Sequence, residues 1–130
     1  MREIKFRGKR LDTGEWVYGD LITWWRDEGS RAICDIGGIR HDVNPATVGQ
    51  YTELRDIRNQ EICESDICRF SYTGMDGKER SHTWVVKYEN GMYWLRHIGG
   101  LKHYDSTLFL NFQKIEVIGN IHDNPGMLAS

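Results

Sequence analysis

Five histidines and three cysteines are the side chains of this sequence best suited to metal binding or nucleophilic chemistry. The closest pairs are Cys63 with Cys68 and His97 with His103. These spacings lie at the outer edge of those that structural zinc sites use. Five residues along a continuous strand place Cys63 and Cys68 on opposite faces, and a strand end separates His97 from His103. We therefore expect no metal site, no cofactor and no disulfide.

Signatures of catalysis are also missing from the sequence. No G-x-S-x-G elbow and no Cys-His signature is present. Gly37-Gly38 and Gly99-Gly100 lack the Lys-Ser/Thr that completes a phosphate-binding loop. The aspartates fall at turns, where they usually bond the local backbone. We expect no catalytic residues and a protein that is not an enzyme.

Net charge limits the classes of partner. Seventeen Lys and Arg against nineteen Asp and Glu give a formal net charge of -2, so no overall positive field attracts DNA, RNA or an anionic membrane. The charged N-terminus lacks the apolar run of a signal peptide, and no apolar stretch is long enough to span a bilayer. These features predict a cytoplasmic protein whose cysteines are reduced.

Tryptophans beside arginines are the best candidates for a binding surface. In Trp24-Trp25-Arg26 the two tryptophans point to opposite faces of a strand, so one faces outward unless both faces are covered. Arg31 follows after a short polar stretch. An exposed tryptophan beside arginine can stack on a base or anchor a protein interface. The alternative is that Trp24 and Trp25 close two sides of a core.

A second tryptophan, Trp94, belongs to the clearest hairpin signal in the chain. Residues 84–89 and 92–97 flank Asn90-Gly91, which favours a two-residue type I′ turn. Counting back from this turn puts Trp94 opposite Lys87 and near Arg96. Trp94 is then either covered by their aliphatic stems or offered to a partner. The same register pairs Tyr88 with Tyr93, Val86 with Leu95 and Trp84 with His97 on a face assigned to the core.

The elements that position these residues are predicted to be mostly strands. Fourteen glycines, two prolines and short apolar runs indicate an all-β or mostly β fold, with at most short helices. Gly37-Gly38 predicts a two-residue hairpin turn, Gly19-Asp20 a bulge, residues 26–30 a loop, and Ser106 the start of a short helix. The length predicts one domain over 1–130, with two lobes of about 1–50 and 51–130 as the alternative.

Four segments of the chain are distinctive in type and order: Ile4–Arg7, Tyr51–Ile67, Val86–Gly91 and Glu116–Pro125. In this order they resemble the YopX family of phage and prophage proteins. Glu53 and Ser65 stand where that family has glycines, and Gln60 replaces the Gly of its Asn-Gly turn. The resemblance implies a small barrel-like or sandwich-like fold, a phage or prophage origin and no established activity. The turn-rich central motif is predicted to be architectural.

Three functions follow from these observations. The first is a non-catalytic phage accessory protein that binds a host or phage protein, or itself, through edge strands and an aromatic patch. The second is a single-stranded nucleic-acid binder that uses Trp24, Trp25, Trp94 and nearby arginines. The third, an enzyme of phage metabolism, has no motif to support it. Across these hypotheses the candidate binding residues are Trp24, Trp25, Arg26, Arg31, Trp94 and Arg96.

Overall fold

The structure is a computed structural model and describes residues 2–24 and 27–129. It is 53% strand and 11% helical, which confirms the mostly β prediction with short helices. Its two sheets are antiparallel and neither is a closed barrel. The strands are β1 (Phe6–Lys9), β2 (Trp16–Trp24), β3 (Asp27–Cys34), β4 (Arg40–Val43), β5 (Gly49–Arg55), β6 (Glu61–Cys63), β7 (Asp66–Thr73), β8 (Glu79–Glu89), β9 (Met92–His97), β10 (Ser106–Thr107) and β11 (Glu116–Asn120). The helix α1 spans Leu108–Asn111, and 3₁₀ turns span Pro45–Thr47, Lys102–Tyr104 and Pro125–Ala129.

The chain divides into two compact units, residues 1–53 and 54–130, and the division falls within β5. In the first unit the strands lie in the order β4-β3-β2-β1-β5. Val17, Ile33 and Val43 form its buried core. Arg10 also bridges to Val43, so β4 returns to the end of β1 and the sheet curls. Gly8 lies in this curl, where an added Cβ would stand 3.0 Å from the Cβ of Val43.

Three local predictions for the first unit are wrong. β3 begins at Asp27, within the stretch expected to be a loop. The pairing of β2 shows its irregularity between Thr23 and Trp24 rather than at Gly19. The turn at Gly37-Gly38 is longer than two residues, because Asp35 Oδ1 accepts hydrogen bonds from the N–H groups of Gly37 and Ile39, 2.9 Å away in each case. The side chain of Asp35 thus organises a wider turn than the glycines alone predict.

The second unit contains a sheet in the order β10-β9-β8-β7-β11. Trp84, Val86 and Leu95 from the central strands are buried together with residues of the flanking segments. This cluster comprises Ile62, Cys68, Trp84, Val86, Leu95, Leu108 and Ile115. It fixes the position of β9 and of α1, which lie beside the candidate site.

The predicted register of the β8–β9 hairpin is confirmed. Tyr88 pairs with Tyr93, Val86 with Leu95 and Trp84 with His97. The assignment of the whole face to the core is wrong at one end, because Tyr88 is 54% exposed. Its ring packs edge-on against Tyr93, with centroids 5.0 Å apart, at the tip of the hairpin. Register thus determines the face, while distance from the core determines burial.

Residues of the central turn-rich motif make backbone hydrogen bonds, as an architectural role requires. Asp56 Oδ1 accepts from the N–H groups of Arg58 and Gln60, and Oδ2 accepts from Val117 N–H at 2.8 Å. Asp66 Oδ2 accepts from Cys63 N–H at 2.7 Å. The motif therefore joins its own turns to β11.

Turns form in this motif without the family's glycines. Glu53 and Ser65, which replace two of them, have φ values of 70° and 71°, and Asn59 has 64°. These values lie in the left-handed region that glycine tolerates best.

The described helices are short. The longest, the 3₁₀ turn Pro125–Ala129, has five residues, and none has the length and apolar character of a membrane span.

Candidate interaction surface

The first predicted patch lies largely outside the described residues. Trp24 ends β2, whereas Trp25, Arg26 and the side chain of Trp24 belong to the part that is not described. Arg31 is half-buried on β3, and its NH1 donates to the carbonyl of Ser30 at 2.8 Å. It lines a shallow groove with Leu11 and Arg40. The structure therefore places Arg31 in the first unit.

Trp94 and Arg96, in the second unit, contact each other, and their polar groups bond to neighbouring residues. The guanidinium of Arg96 lies over the Trp94 ring, 4.7 Å from its centroid. Arg96 also pairs with Glu89 and, at 3.2 Å, with Asp105. Its hydrogen bond to Glu89, followed by that to Asp105, raises the pKa of Arg96. Trp94 Nε1 donates to the Glu89 carbonyl at 3.0 Å. Arg96 thus lies on one side of the Trp94 ring, which remains half-buried, and contact of Trp94 with a partner stays a prediction.

A second surface of the second unit is formed by the segment Leu101–Phe112, which we call the edge segment and which contains several exposed residues. It runs along β9, where Ser106 and Thr107 of β10 pair with Leu95 and Trp94. Asp105 Oδ1 accepts from His97 N–H at 2.7 Å. The Tyr104 carbonyl accepts from Trp84 Nε1 at 2.8 Å. These bonds hold an otherwise irregular segment against the sheet.

Within the edge segment, α1 is anchored by two residues and presents two others to solvent. Leu108 is fully buried in the core. Asn111 is buried and donates from Nδ2 to Ser106 Oγ at 2.8 Å and to the Thr107 carbonyl at 2.6 Å. Phe109 and Leu110 between them are 71% and 74% exposed. A rigid turn therefore displays two adjacent large apolar side chains.

Beside α1, rings from β7, β8, β9 and the 3₁₀ turn Lys102–Tyr104 form a cluster. His82 Nδ1 lies 3.4 Å from His97 Nε2, and Tyr72 OH lies 3.5 Å from His82 Nε2. The Tyr104 ring packs on His82 at 4.3 Å and on His97 at 5.2 Å between centroids. The His103 ring packs on the Tyr104 ring at a tilt, with centroids 4.2 Å apart. The edge segment thus rests on a pair of imidazoles.

His97 is the electrostatically perturbed member of this cluster. Its Nδ1 is buried and has no hydrogen-bond partner among the described residues. Burial, followed by the nearby His82, lowers the pKa of His97 below its ordinary value of 6.5, although Asp105 acts in the opposite direction. The surroundings of His97 therefore favour its neutral form.

No group of three or more His, Cys, Asp or Glu within residues 2–24 and 27–129 is arranged to hold a metal ion. No disulfide joins Cys34, Cys63 and Cys68. Burial raises the pKa of the Cys68 thiol well above its usual value, so that thiol is a poor nucleophile.

Sequence reasoning missed both the edge segment and the imidazole pair. One local signal was available for the first: Leu108-Phe109-Leu110 is followed by Phe112, more apolar residues than one helical turn can bury. The signal for the second was the hairpin register itself, which pairs Trp84 with His97 and therefore places His82, two residues before Trp84, diagonal to His97 on the same face.

The chain is similar to a known protein family and to a solved structure. The model of the family described as YopX protein matches residues 5–129. The crystal structure of protein EF1440 from Enterococcus faecalis is similar with a TM-score of 0.57 and 18% sequence identity, over 98% of this chain and 99% of that chain; at this identity the likeness shows the fold alone. No curated protein matches the chain. Because the family model covers nearly the whole sequence, the chain belongs to the YopX protein family.

Proposed function

We propose that this chain is a phage- or prophage-encoded accessory protein of the bacterial cytoplasm that acts as a non-catalytic interaction module. Its partner is another protein, from the host or the phage, that docks an apolar segment on the edge segment. The observation that carries the proposal is the exposure of Phe109 and Leu110 on an anchored turn. Adjacent exposed apolar side chains are typical of contact surfaces.

Anchoring matters because it removes part of the cost of binding. Leu108 and Asn111 already hold α1 in one position, so a partner does not have to order the turn when it docks. The fold itself does not need apolar side chains at Phe109 and Leu110, since Leu108 supplies the contact with the core.

The size of the patch favours a segment of a different protein over a second copy. At 71% and 74% exposure, Phe109 and Leu110 together offer roughly 300 Å², since a large side chain offers on the order of 200 Å². Each subunit of a stable dimer buries about 800 Å². A short apolar segment matches the smaller area.

The edges of the second unit's sheet also argue against assembly by strand addition. β10 has two residues, which is too short to template another strand. On the other side β11 has a register shift between Val117 and Gly119, and Glu116 pairs with Arg58 and Arg69. Bulges and charges of this kind are the usual protection of edge strands.

The test compares capture of partners by the wild type and by two double variants. Phe109→Ser with Leu110→Ser removes the apolar pair. Ile36→Ser with Met75→Ser is the matched control, because both residues are fully exposed on other turns. Tagged proteins are used to capture partners from induced bacterial cells, with nuclease treatment, and each captured protein is then titrated in purified form.

We expect a captured protein to bind the wild type and the control equally and the Phe109/Leu110 variant at least about tenfold more weakly, which is the effect of losing about 1.4 kcal/mol at an interface. Equal binding to all three proteins would contradict the proposal. A wild type that is dimeric by light scattering and becomes monomeric in the Phe109/Leu110 variant would replace it by self-association. Capture that disappears with nuclease would favour nucleic acid instead.

A further inference from the structure

Only one hydrogen can lie between the facing nitrogens of His82 and His97. His82 Nδ1 and His97 Nε2 are 3.4 Å apart, so one of them donates and the other accepts. If both imidazoles are protonated, both nitrogens carry hydrogen and both rings carry positive charge. The contact then becomes repulsive. The observed geometry therefore requires at least one neutral ring.

The groups that face this pair come from every neighbouring element. β7 contributes the Tyr72 hydroxyl, 3.5 Å from His82 Nε2, and β8 contributes the Trp84 ring, edge-on to His97. Asp105 Oδ1 accepts a hydrogen bond from the backbone N–H of His97, and its second oxygen, Oδ2, is paired with Arg96. The 3₁₀ turn adds Tyr104 and a further titratable ring, His103. Within the described part of the chain, the titratable or charged groups at the pair and at its neighbours are Tyr72, Arg96, His103, Tyr104 and Asp105.

This surrounding does not favour a charged His97. A protonated His97 would place an N–H at Nδ1, which is buried without a partner in the described residues. Burial and the neighbouring imidazoles lower the pKa of His97, and they outweigh Asp105. Protonation of His97 is therefore favoured by any movement that separates the two rings and exposes them to water.

The movement that separates them also frees the edge segment. The Tyr104 ring lies on both imidazoles, and the Tyr104 carbonyl accepts the Trp84 hydrogen bond. Displacing either imidazole removes the surface under Tyr104. The bond from His97 N–H to Asp105 lies at the same point of the segment.

We infer that His82 and His97 form a pH-sensitive latch that holds the edge segment on β8 and β9 near neutral pH and releases it in mild acid. The latch stands on the ring cluster alone. Its consequence, weaker docking of a partner in acid, rests on the proposed function.

Hydrogen exchange of the full chain tests the latch without any partner. Exchange is measured by mass spectrometry at pH 7.5 and 5.5 and corrected for the intrinsic effect of pH. We expect corrected exchange in residues 101–112 to rise about threefold or more at pH 5.5, as a modest change in proton affinity between closed and open states requires. Residues 6–20 of the first unit, which contain no histidine, are the internal reference and should not change.

Variants identify the groups responsible. His97→Gln retains a polar group near the Nε2 position but cannot titrate, and should abolish the rise, whereas His41→Gln in the first unit should leave it unchanged. Should His97→Gln fail to fold, the wild-type imidazole resonances serve instead, and His97 should titrate with a midpoint below 6.5. Exchange that is equal at both pH values, a rise that persists in His97→Gln, or a His97 midpoint at or above 6.5 would overturn the latch.

Discussion

Ser65→Gly should stabilise the protein, because Ser65 occupies a backbone conformation that glycine adopts more easily. Its φ is 71°. The position is held on both sides, since Ser65 N–H donates to the Val86 carbonyl at 2.8 Å and the Ser65 carbonyl accepts from Ile121 N–H at 3.0 Å. Both bonds use the backbone and remain after substitution. The serine hydroxyl makes no hydrogen bond within the described residues, so removing it leaves no partner unsatisfied.

Two opposing terms determine the magnitude. Relief of the left-handed conformation contributes about 1 to 2 kcal/mol. The greater freedom of glycine in the unfolded chain costs about 0.5 to 1 kcal/mol. We expect a net increase of about 0.5 to 1 kcal/mol in the free energy of unfolding.

Urea denaturation followed by tryptophan fluorescence measures this change, and Ser71→Gly is the matched control. Ser71 is an exposed serine in the middle of β7, where glycine should instead lower the free energy of unfolding by about 0.5 to 1 kcal/mol. The two variants should therefore shift the urea midpoint in opposite directions. A Ser65→Gly midpoint at or below that of the wild type would refute the argument from backbone conformation.

Three further experiments test the burial of Trp84, the accessibility of the cysteines and the titration of His97. Trp84→Ala removes a buried ring and should lower the free energy of unfolding by about 3 to 5 kcal/mol in a urea melt; a loss below about 1 kcal/mol would show that the site is not part of the core. In native protein, iodoacetamide should alkylate the half-buried Cys34 before the buried Cys63 and Cys68, and early modification of Cys68, seen by peptide mass spectrometry, would contradict its burial. The pKa of His97 is lower in the folded state than its ordinary 6.5, so below about 6.5 the unfolded chain binds more protons at this site, and the contribution of His97 lowers stability as pH decreases. Urea midpoints across this range should fall less steeply in His97→Gln, and parallel curves would exclude this contribution.

Part of the candidate site was accessible from the sequence. Trp94 and Arg96 were correctly placed on one hairpin, because Asn90-Gly91 specifies the turn and strand parity then places every later residue. The sequence predicted that the aliphatic stems of Lys87 and Arg96 cover Trp94 or that a partner does. It did not predict the contact between the Arg96 guanidinium and the Trp94 ring, which accompanies the ion pairs of Arg96 with Glu89 and Asp105. The Trp24–Arg26 patch stays a prediction. The apolar run around Phe109 was a local signal for the edge segment, but the position of the segment could not be inferred, since it depends on bonds from Trp84 and His97.

By itself the sequence determined the mostly β class, the β8–β9 register and the family, because turn dipeptides, strand periodicity and motif order act over a few residues. Tertiary structure decided which residues of a given face are buried: Trp84 lies in the core, whereas Tyr88, of the same parity, lies at the hairpin tip. It also decided the burial of His97 Nδ1 and the packing of the Tyr104 ring on His82 and His97. The physical reason is that backbone preference is local, while burial and the convergence of side chains depend on which distant strands pair and on what the remaining chain covers.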